Sequence, residues 1–221
     1  MTIDSRIRAV INFIRDGSIV ADIGADHGYL TIELIKSGRA AKVIATEKNI
    51  GPFQAARKNI SAVALEGVDV RLGDGLQVLS AGEVDTICIA GMGGALIEKI
   101  LDDSPEVVSS ARQLILQPMN GAEKIRAWLV RNDWLIDDED LAESSGIIYE
   151  IISAVKTLDS PQKIFKRESS PLMEKFLSQR LQKLRRVLTE MNKSSDARAS
   201  DKFSALSLEV AALQKKLQVA H

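Results

Sequence analysis

The sequence has 221 residues, 45% of them hydrophobic, which is enough for one sizeable domain with its own core plus an appendage. It contains one cysteine, Cys88, and two histidines, so an internal disulfide and a multi-cysteine metal site are excluded. It also lacks an apolar run of about 18 residues and a signal-peptide layout, so we expect a cytoplasmic protein without a membrane span or a structural metal.

The net charge of −1 conceals an uneven distribution of charged residues. Residues 161–221 carry 13 lysines and arginines against 6 aspartates and glutamates, whereas residues 1–160 carry 16 against 24. A basic arm on an acidic body predicts a polyanionic partner for the arm. The alternative is a solvated helical surface that happens to be basic.

Hydrophobic periodicity predicts strands that alternate with helices in the first part of the chain. The predicted strands are 18–23, 42–47, 68–72, 84–90 and 113–117. The predicted helices are 2–15, 29–37, one that opens at 51, one after 94, and 121–132. Extended segments at 134–142 and 147–156 are close enough for a hairpin. The pattern predicts an α/β fold with a mostly parallel, Rossmann-like sheet and an antiparallel hairpin at its edge.

The pattern changes in the last quarter of the chain. Apolar residues recur at helical spacing over 173–191 and 203–220, on either side of a polar turn at 192–196. Two such helices predict a coiled-coil-like antiparallel helical hairpin. We therefore expect two domains, a Rossmann-like domain over 1–158 and a basic helical hairpin over 159–221.

The turn after the first strand has the form Asp22-x-Gly24-x-Asp26-x-Gly28. A nicotinamide-binding turn has the form Gly-x-Gly-x-x-Gly, and its second glycine lets the pyrophosphate approach the backbone. Here Asp26 lies where that phosphate would sit, and a carboxylate repels a phosphate but attracts a cation. The turn instead resembles the first motif of class I S-adenosylmethionine-dependent methyltransferases, whose cofactor carries a sulfonium and an ammonium group and no phosphate.

Two further acids lie at or just after the ends of the next two predicted strands. Glu47 ends the second strand, where a carboxylate can accept hydrogen bonds from ribose hydroxyls. Asp74 lies between Gly73 and Gly75 after the third strand, and it resembles the methyltransferase position that holds the adenine amino group. Each acid taken alone has a second interpretation. Glu47 could be a solvated acid at the end of a strand, and Asp74 could belong to an ordinary Asp-Gly turn. Three acids after three successive strands are more specific than any one of them.

Further short sequence motifs, given in chain order, add to this resemblance. They are Gly51-Pro52-Phe53, Ile89-Ala-Gly-Met-Gly-Gly94, Leu114-Ile-Leu-Gln-Pro118 and Tyr149-Glu150. Together with the acidic turns they resemble the TrmK family of bacterial tRNA methyltransferases, over roughly residues 5–155. The resemblance implies a class I methyltransferase fold, S-adenosyl-L-methionine as cofactor, and N1 of adenine 22 in tRNA as the methyl acceptor.

The resemblance also implies roles for individual residues. The expected cofactor contacts are Asp22, Gly24, Asp26, His27, Glu47, Lys48, Asp74, Gly75, Ala90 and Gly91. The expected catalytic residues are Asp26, which would stabilise positive charge on the methylated base, and Tyr29, which could stack on it. The expected substrate contacts are Met92, Gly93, Gln117, Pro118, Tyr149, Arg180, Arg185 and Arg186. His27 could instead only cap the next helix, and both tyrosines could belong to the core.

Three other interpretations compete with this hypothesis. The first is a methyltransferase that acts on another RNA, a protein or a small molecule. The second is a nucleotide-dependent oxidoreductase, against which Asp26 argues. The third is a non-catalytic RNA-binding protein, although intact Asp22, Glu47 and Asp74 argue against it. The sequence leaves open whether the protein is a monomer or a homodimer.

Overall fold

A computed structural model describes residues 4–156 and 167–219. The chain divides between Glu168 and Ser169 into two compact units. The predicted domain boundary at 158/159 falls outside the described residues and stays a prediction.

The first unit contains a seven-stranded sheet with the strand order β3-β2-β1-β4-β5-β7-β6. Its strands are β1 (Ser18–Ile23), β2 (Ala40–Glu47), β3 (Val68–Leu72), β4 (Thr86–Gly93), β5 (Gln113–Asn120), β6 (Leu135–Ser144) and β7 (Ile147–Val155). Strands β1 to β5 pair in parallel, β7 is antiparallel to β5, and β6 is antiparallel to β7. This topology confirms the predicted α/β fold with an antiparallel edge hairpin.

Helices cover both faces of this sheet. They are α1 (Ser5–Phe13), α2 (Tyr29–Lys36), α3 (Ile50–Ala62), α4 (Gly94–Asp102), α5 (Pro105–Ser110) and α6 (Ala122–Arg131). Ile87 and Ile89 of β4 pack in a core cluster with residues of α4, α5 and α6. Cys88, between them, packs in a second cluster with residues of α1 and α2. Since successive strand residues point to opposite faces, a nearly continuous apolar strand is buried on both sides.

Two strands run further than their sequence predicts. The predicted fourth strand, 84–90, continues to Gly93, and the predicted fifth strand, 113–117, continues through Pro118 to Asn120. Proline lacks the N–H that a central strand must donate. Pairing of β5 with β7 extends only from Gln113 to Leu116, so Pro118 lies beyond this ladder and is tolerated. The predicted end of this strand at residue 117 was therefore wrong.

The turn from β4 into α4 depends on Gly94. A Cβ atom at this position would lie 2.6 Å from the carbonyl oxygen of Gly121, which precedes α6. Real Cβ atoms do not approach backbone oxygens so closely. The pair of glycines allows the β4–α4 and β5–α6 turns to pack backbone against backbone beside the carboxyl ends of the two strands.

The second unit is helical. It consists of α7 (Met173–Met191), α8 (Ser195–Arg198) and α9 (Asp201–Val219), and α7 packs against α9. Arg180 of α7 donates from Nε to Glu209 Oε1 of α9 at 2.7 Å, which ties the two helices together. The predicted turn at 192–196 contains the start of α8. None of the helices in 4–156 or 167–219 is long and apolar enough to cross a membrane.

Candidate active site

A cleft of about 610 Å³ opens at the carboxyl ends of the central strands, which is the usual ligand position in open α/β sheets. Every residue that the sequence assigned to the cofactor lines this cleft, as do Tyr29 and Met92. The assigned cofactor residues are Asp22, Gly24, Asp26, His27, Glu47, Lys48, Asp74, Gly75, Ala90 and Gly91. The structure thus brings together residues from four segments of the chain.

The turn between β1 and α2 has an unusual backbone. Gly24, Asp26 and Gly28 have φ values of 72°, 52° and 74°, all in the left-handed region. Glycine adopts this region freely, and aspartate is among the few other residues that tolerate it. Gly28 is the N-cap residue of α2, so His27 is not the capping residue. The turn leaves the Asp26 side chain 67% exposed at the cleft.

Hydrogen bonds fix this turn to the end of β2. The backbone N–H of Asp26 donates to Glu47 Oε1 at 2.8 Å. The Thr46 carbonyl accepts from the N–H groups of Gly24 and Ala25 at 2.9 and 3.1 Å. Glu47 therefore both faces the cleft and holds the backbone of the residue predicted to act on the substrate.

Asp22 lies at the floor of the cleft and is almost completely buried. Burial raises the pKa of its carboxyl from 3.8 to about 6, and the nearby charge of Glu47 adds to the effect. A hydrogen bond from Thr31 Oγ1 to Asp22 Oδ2 at 2.6 Å acts in the opposite direction. Asp22 is thus a carboxylate whose ionised form would gain from a cationic neighbour.

Acidic side chains outnumber basic ones at this site. The lining carboxylates are Asp22, Asp26, Glu47 and Asp74, and the lining lysine and arginine are Lys48 and Arg6. Lys48 Nζ pairs with Asp74 Oδ2 at 2.6 Å, so its charge is matched within the protein. The cleft consequently favours a cationic ligand over a phosphate-bearing one.

An aromatic pair lies beside the turn. The rings of His27 and Tyr29 are stacked, with centroids 5.6 Å apart and planes inclined by 25°. Tyr29 is 42% exposed and lines the cleft, so it is not a core residue. The stack provides a flat apolar surface next to Asp26 on which a base could lie.

The predicted substrate residues are arranged less uniformly. Met92 lines the cleft, and its methyl group occupies the space where a Cβ atom at Gly24 would lie. Gly93, Gln117, Pro118 and Tyr149 do not line it. Gln117 is fully buried, which leaves it no surface for direct contact with a substrate in this structure. Gln117 instead accepts a hydrogen bond from a residue that lines the cleft.

That residue is Arg6 of α1, which sequence reasoning missed. Arg6 Nη1 donates to Gln117 Oε1 at 2.7 Å, and its guanidinium carbon lies 5.7 Å from the centroid of the Tyr149 ring. In the sequence Arg6 is one of several basic residues on the polar side of an amphipathic helix, and no local pattern distinguishes it from Arg8. Only the tertiary fold brings it to Gln117 and the cleft.

The three predicted arginines of the second unit differ from one another. Arg180 is engaged with Glu209, as described above, and supports the pairing of α7 with α9. Arg185 and Arg186 are exposed on α7. Among the described residues there is no cluster of three or more histidine, cysteine, aspartate or glutamate side chains that could hold a metal ion.

Comparison with known proteins identifies the family. Residues 3–152 match the family model described as a methyltransferase domain. Over 155 residues the chain is 39% identical to the tRNA (adenine(22)-N(1))-methyltransferase of Bacillus subtilis (strain 168), and the alignment covers 70% of this chain and 65% of that protein.

Solved structures extend the likeness to the full chain. The crystal structure of the B. subtilis m1A22 tRNA methyltransferase TrmK is 30% identical, with a TM-score of 0.83 and coverage of 98% of this chain and 99% of the other. Streptococcus pneumoniae Sp1610, in complex with S-adenosyl-L-methionine, is 32% identical with the same TM-score, over 98% and 100% of the chains. The chain therefore belongs to the methyltransferase-domain family and, within it, to the TrmK family.

Proposed function

We propose that this protein transfers the methyl group of S-adenosyl-L-methionine to N1 of an adenine in tRNA, at position 22. The observation that carries the proposal is the acidic cleft at the carboxyl ends of β1, β2 and β4, in a chain of the TrmK family. The B. subtilis relatives named above act on adenine 22, and Sp1610 was solved with this cofactor.

The residues of the cleft fit the proposed cofactor by their chemistry. Glu47 would accept hydrogen bonds from the ribose hydroxyls, and Asp74 would accept one from the adenine amino group. Asp22 would face the ammonium group, since a buried carboxylate is stabilised by a cation. Gly24 and Gly75, with φ values of 72° and 56°, allow the backbone to turn sharply at the cleft. A pyrophosphate would have to lie against Asp26 instead.

The transfer needs little acid–base chemistry from the protein. The bound cofactor supplies an electrophilic methyl group on a sulfonium centre. Adenine N1 is unprotonated at neutral pH and carries a lone pair, so no base has to remove a proton before the attack. The protein must align donor and acceptor and stabilise the positive charge that passes to the ring. Asp26, exposed at the cleft, would provide that stabilisation.

The target base has to leave its stack before it can react. Adenine N1 lies on the Watson–Crick edge, so a paired base is out of reach and must be unpaired or extruded. The His27–Tyr29 stack would then receive its face. The exposed Arg185 and Arg186 of the second unit would contact phosphates of the tRNA, whose recognition depends on shape and charge. The reaction would take place in the cytoplasm.

The proposal is tested by incubating the protein with methyl-labelled cofactor and an unmodified tRNA transcript, followed by nucleoside analysis. We expect one label per tRNA, recovered as 1-methyladenosine. The matched control is the same transcript with adenine 22 replaced by guanine, which should take up no label. Label in another nucleoside, or undiminished labelling of the control, would assign the protein a different target.

A further inference from the structure

We propose that Arg6 binds the carboxylate of the cofactor's methionine moiety, and that Gln117 is the positioning residue that aims it. This inference rests on the proposed function, because it assigns a role at the same cleft toward the same cofactor. It gives a function to the two residues, Gln117 and Tyr149, that were expected to contact substrate and instead contact Arg6.

The guanidinium of Arg6 is held in place from several sides. Gln117 Oε1 accepts from Arg6 Nη1 at 2.7 Å and from the backbone N–H of Gly91 at 3.0 Å. Gln117 Nε2 in turn donates to the Pro118 carbonyl at 3.0 Å, which fixes the orientation of the amide. The Tyr149 ring lies 5.7 Å from the guanidinium carbon. Because a guanidinium has five N–H donors, this arrangement leaves donors for a ligand.

Gly91 allows the guanidinium to lie close to the end of β4. Its φ is 79°, and a Cβ atom there would come within 3.2 Å of Arg6 Nη1. A side chain at this position would therefore push against the guanidinium as well as strain the backbone. Arg6 and Gly91 both line the cleft, so the charge is presented to its interior.

A cation at this position requires an anionic partner when the site is loaded. The proposed donor carries a sulfonium and an ammonium group, and the methylated adenine is itself a cation, so a bare guanidinium nearby would oppose the reaction. Within the described part of the chain, Arg6 makes no ion pair with a carboxylate, whereas Lys48 is matched by Asp74. The anionic group of the cofactor is its carboxylate.

The order of the strands assigns the carboxylate to the Arg6 side of the cleft. Glu47 ends β2 and Asp74 follows β3, at one side of the sheet, and these residues would hold the ribose and the adenine. The cofactor's other end must then extend toward β1 and β4. Asp22 lies on β1 and Gly91 on β4 there. Asp22 would bind the ammonium group and Arg6 the carboxylate of the cofactor's amino-acid moiety.

The test compares two ligands that differ in the amino-acid group. S-adenosylhomocysteine retains it, and 5′-methylthioadenosine lacks it. We expect Arg6→Ala to weaken binding of S-adenosylhomocysteine tenfold to a hundredfold, as for loss of a hydrogen bond to a charged group, measured by titration calorimetry. Binding of 5′-methylthioadenosine should change less than twofold. Arg8→Ala, an exposed residue on the same helix, is the matched control and should change neither.

Two further variants separate recognition from folding. Gln117→Glu keeps the shape of the side chain but neutralises Arg6 and loses the N–H donated to the Pro118 carbonyl. It should weaken S-adenosylhomocysteine and spare 5′-methylthioadenosine, whose retained binding reports a folded protein. Arg6→Lys keeps the charge but not the planar fork, and should lose less affinity than Arg6→Ala. Decarboxylated S-adenosylhomocysteine should bind the wild type and Arg6→Ala alike.

The outcomes distinguish this inference from the function on which it rests. If the wild type binds S-adenosylhomocysteine but Arg6→Ala binds it equally well, Arg6 has another role and the inference is wrong. An increase in the KM for tRNA without a change in S-adenosylhomocysteine affinity would assign Arg6 to the RNA. Failure of the wild type to bind S-adenosylhomocysteine would overturn the proposed function itself.

Discussion

Asp26 illustrates how the backbone presents a charge to a substrate. Its left-handed conformation and its N–H bond to Glu47 hold the residue in the turn, while the carboxylate stays exposed at the cleft. We expect Asp26→Asn, which tolerates the same φ, to lower kcat about a hundredfold, because the positive charge on the ring loses its stabilising partner. S-adenosylhomocysteine affinity should stay within about threefold by calorimetry. A full methylation rate would remove Asp26 from the mechanism.

Glu47 should act on binding rather than on rate. Replacement by glutamine keeps an oxygen for the Asp26 N–H but removes the charge and one of the acceptors proposed for the ribose hydroxyls. We expect Glu47→Gln to weaken S-adenosylhomocysteine by about tenfold, with kcat largely retained at saturating cofactor. Glu66→Gln, on an exposed residue after α3, is the control. An unchanged dissociation constant for Glu47→Gln would contradict the ribose assignment.

Asp22 should make stability depend on pH. Its pKa in the folded protein, about 6, lies above the ordinary value of 3.8, so the folded state holds the proton more tightly than the unfolded state. The free energy of unfolding therefore falls as pH rises through this range and becomes constant above about pH 7.

Urea unfolding of the wild type and Asp22→Asn checks this expectation. Between pH 4.5 and 7 the wild type should lose about 2 kcal/mol relative to the variant, in which position 22 does not titrate. Titration of the exposed acids changes the free energy of unfolding of both proteins equally, so it cancels in the comparison. A difference that stays constant across this interval would show that Asp22 titrates normally.

At the scale of elements, a group of ion pairs joins α6 to the edge hairpin. Arg126 of α6 donates from Nε to Glu139 Oε1 of β6 and from Nη2 to Glu150 Oε1 of β7, both at 2.7 Å. Arg167 lies 3.3 Å from Glu139 Oε2 and 3.2 Å from Glu150 Oε1. The two glutamate side chains are 6% and 11% exposed. Their charges are therefore costly to leave unmatched.

We expect Arg126→Ala to destabilise the protein by about 3 kcal/mol, since it leaves buried carboxylates with less compensation. Arg131→Ala on the same helix is the control, because Arg131 is 58% exposed and pairs with Glu98 at the surface. The control should change the free energy of unfolding by less than about 0.5 kcal/mol in a urea titration. Equal effects of the two substitutions would mean that burial of the pairs contributes nothing.

The sequence predicted most elements because their signals are local. The β3 boundaries are the predicted ones, and the β6–β7 hairpin lies within two residues of its prediction. The course of β5 through Pro118 was missed because it depends on where the neighbouring strand stops pairing. The six-residue helix α5 was missed because it is too short for a periodic pattern.

The same distinction applies to the cleft. Asp22, Glu47 and Asp74 were found because each lies at or just after the carboxyl end of a strand, and parallel strands bring these ends together. Arg6 was missed and Gln117 was expected to contact substrate, because their contact joins residues 111 positions apart. No spacing rule reports such a contact.

For the whole molecule, we expect the first unit to carry out methyl transfer and the second unit to contact the tRNA. Replacing Arg185 and Arg186 by glutamate should raise the KM for tRNA at least tenfold, because phosphate contacts are lost, and should lower the slope of log affinity against log salt by about one for each lost contact. S-adenosylhomocysteine affinity should not change. An unaltered KM would place the tRNA contacts elsewhere on the chain.

We expect the acidic cleft to hold a cationic methyl donor and no dinucleotide. Calorimetric titration of the wild-type protein with S-adenosyl-L-methionine and, separately, with NADH tests it most directly. We predict saturable binding of one S-adenosyl-L-methionine per chain and no saturable heat with NADH. Saturable binding of NADH that S-adenosyl-L-methionine displaces, or no saturable binding of S-adenosyl-L-methionine, would contradict this expectation.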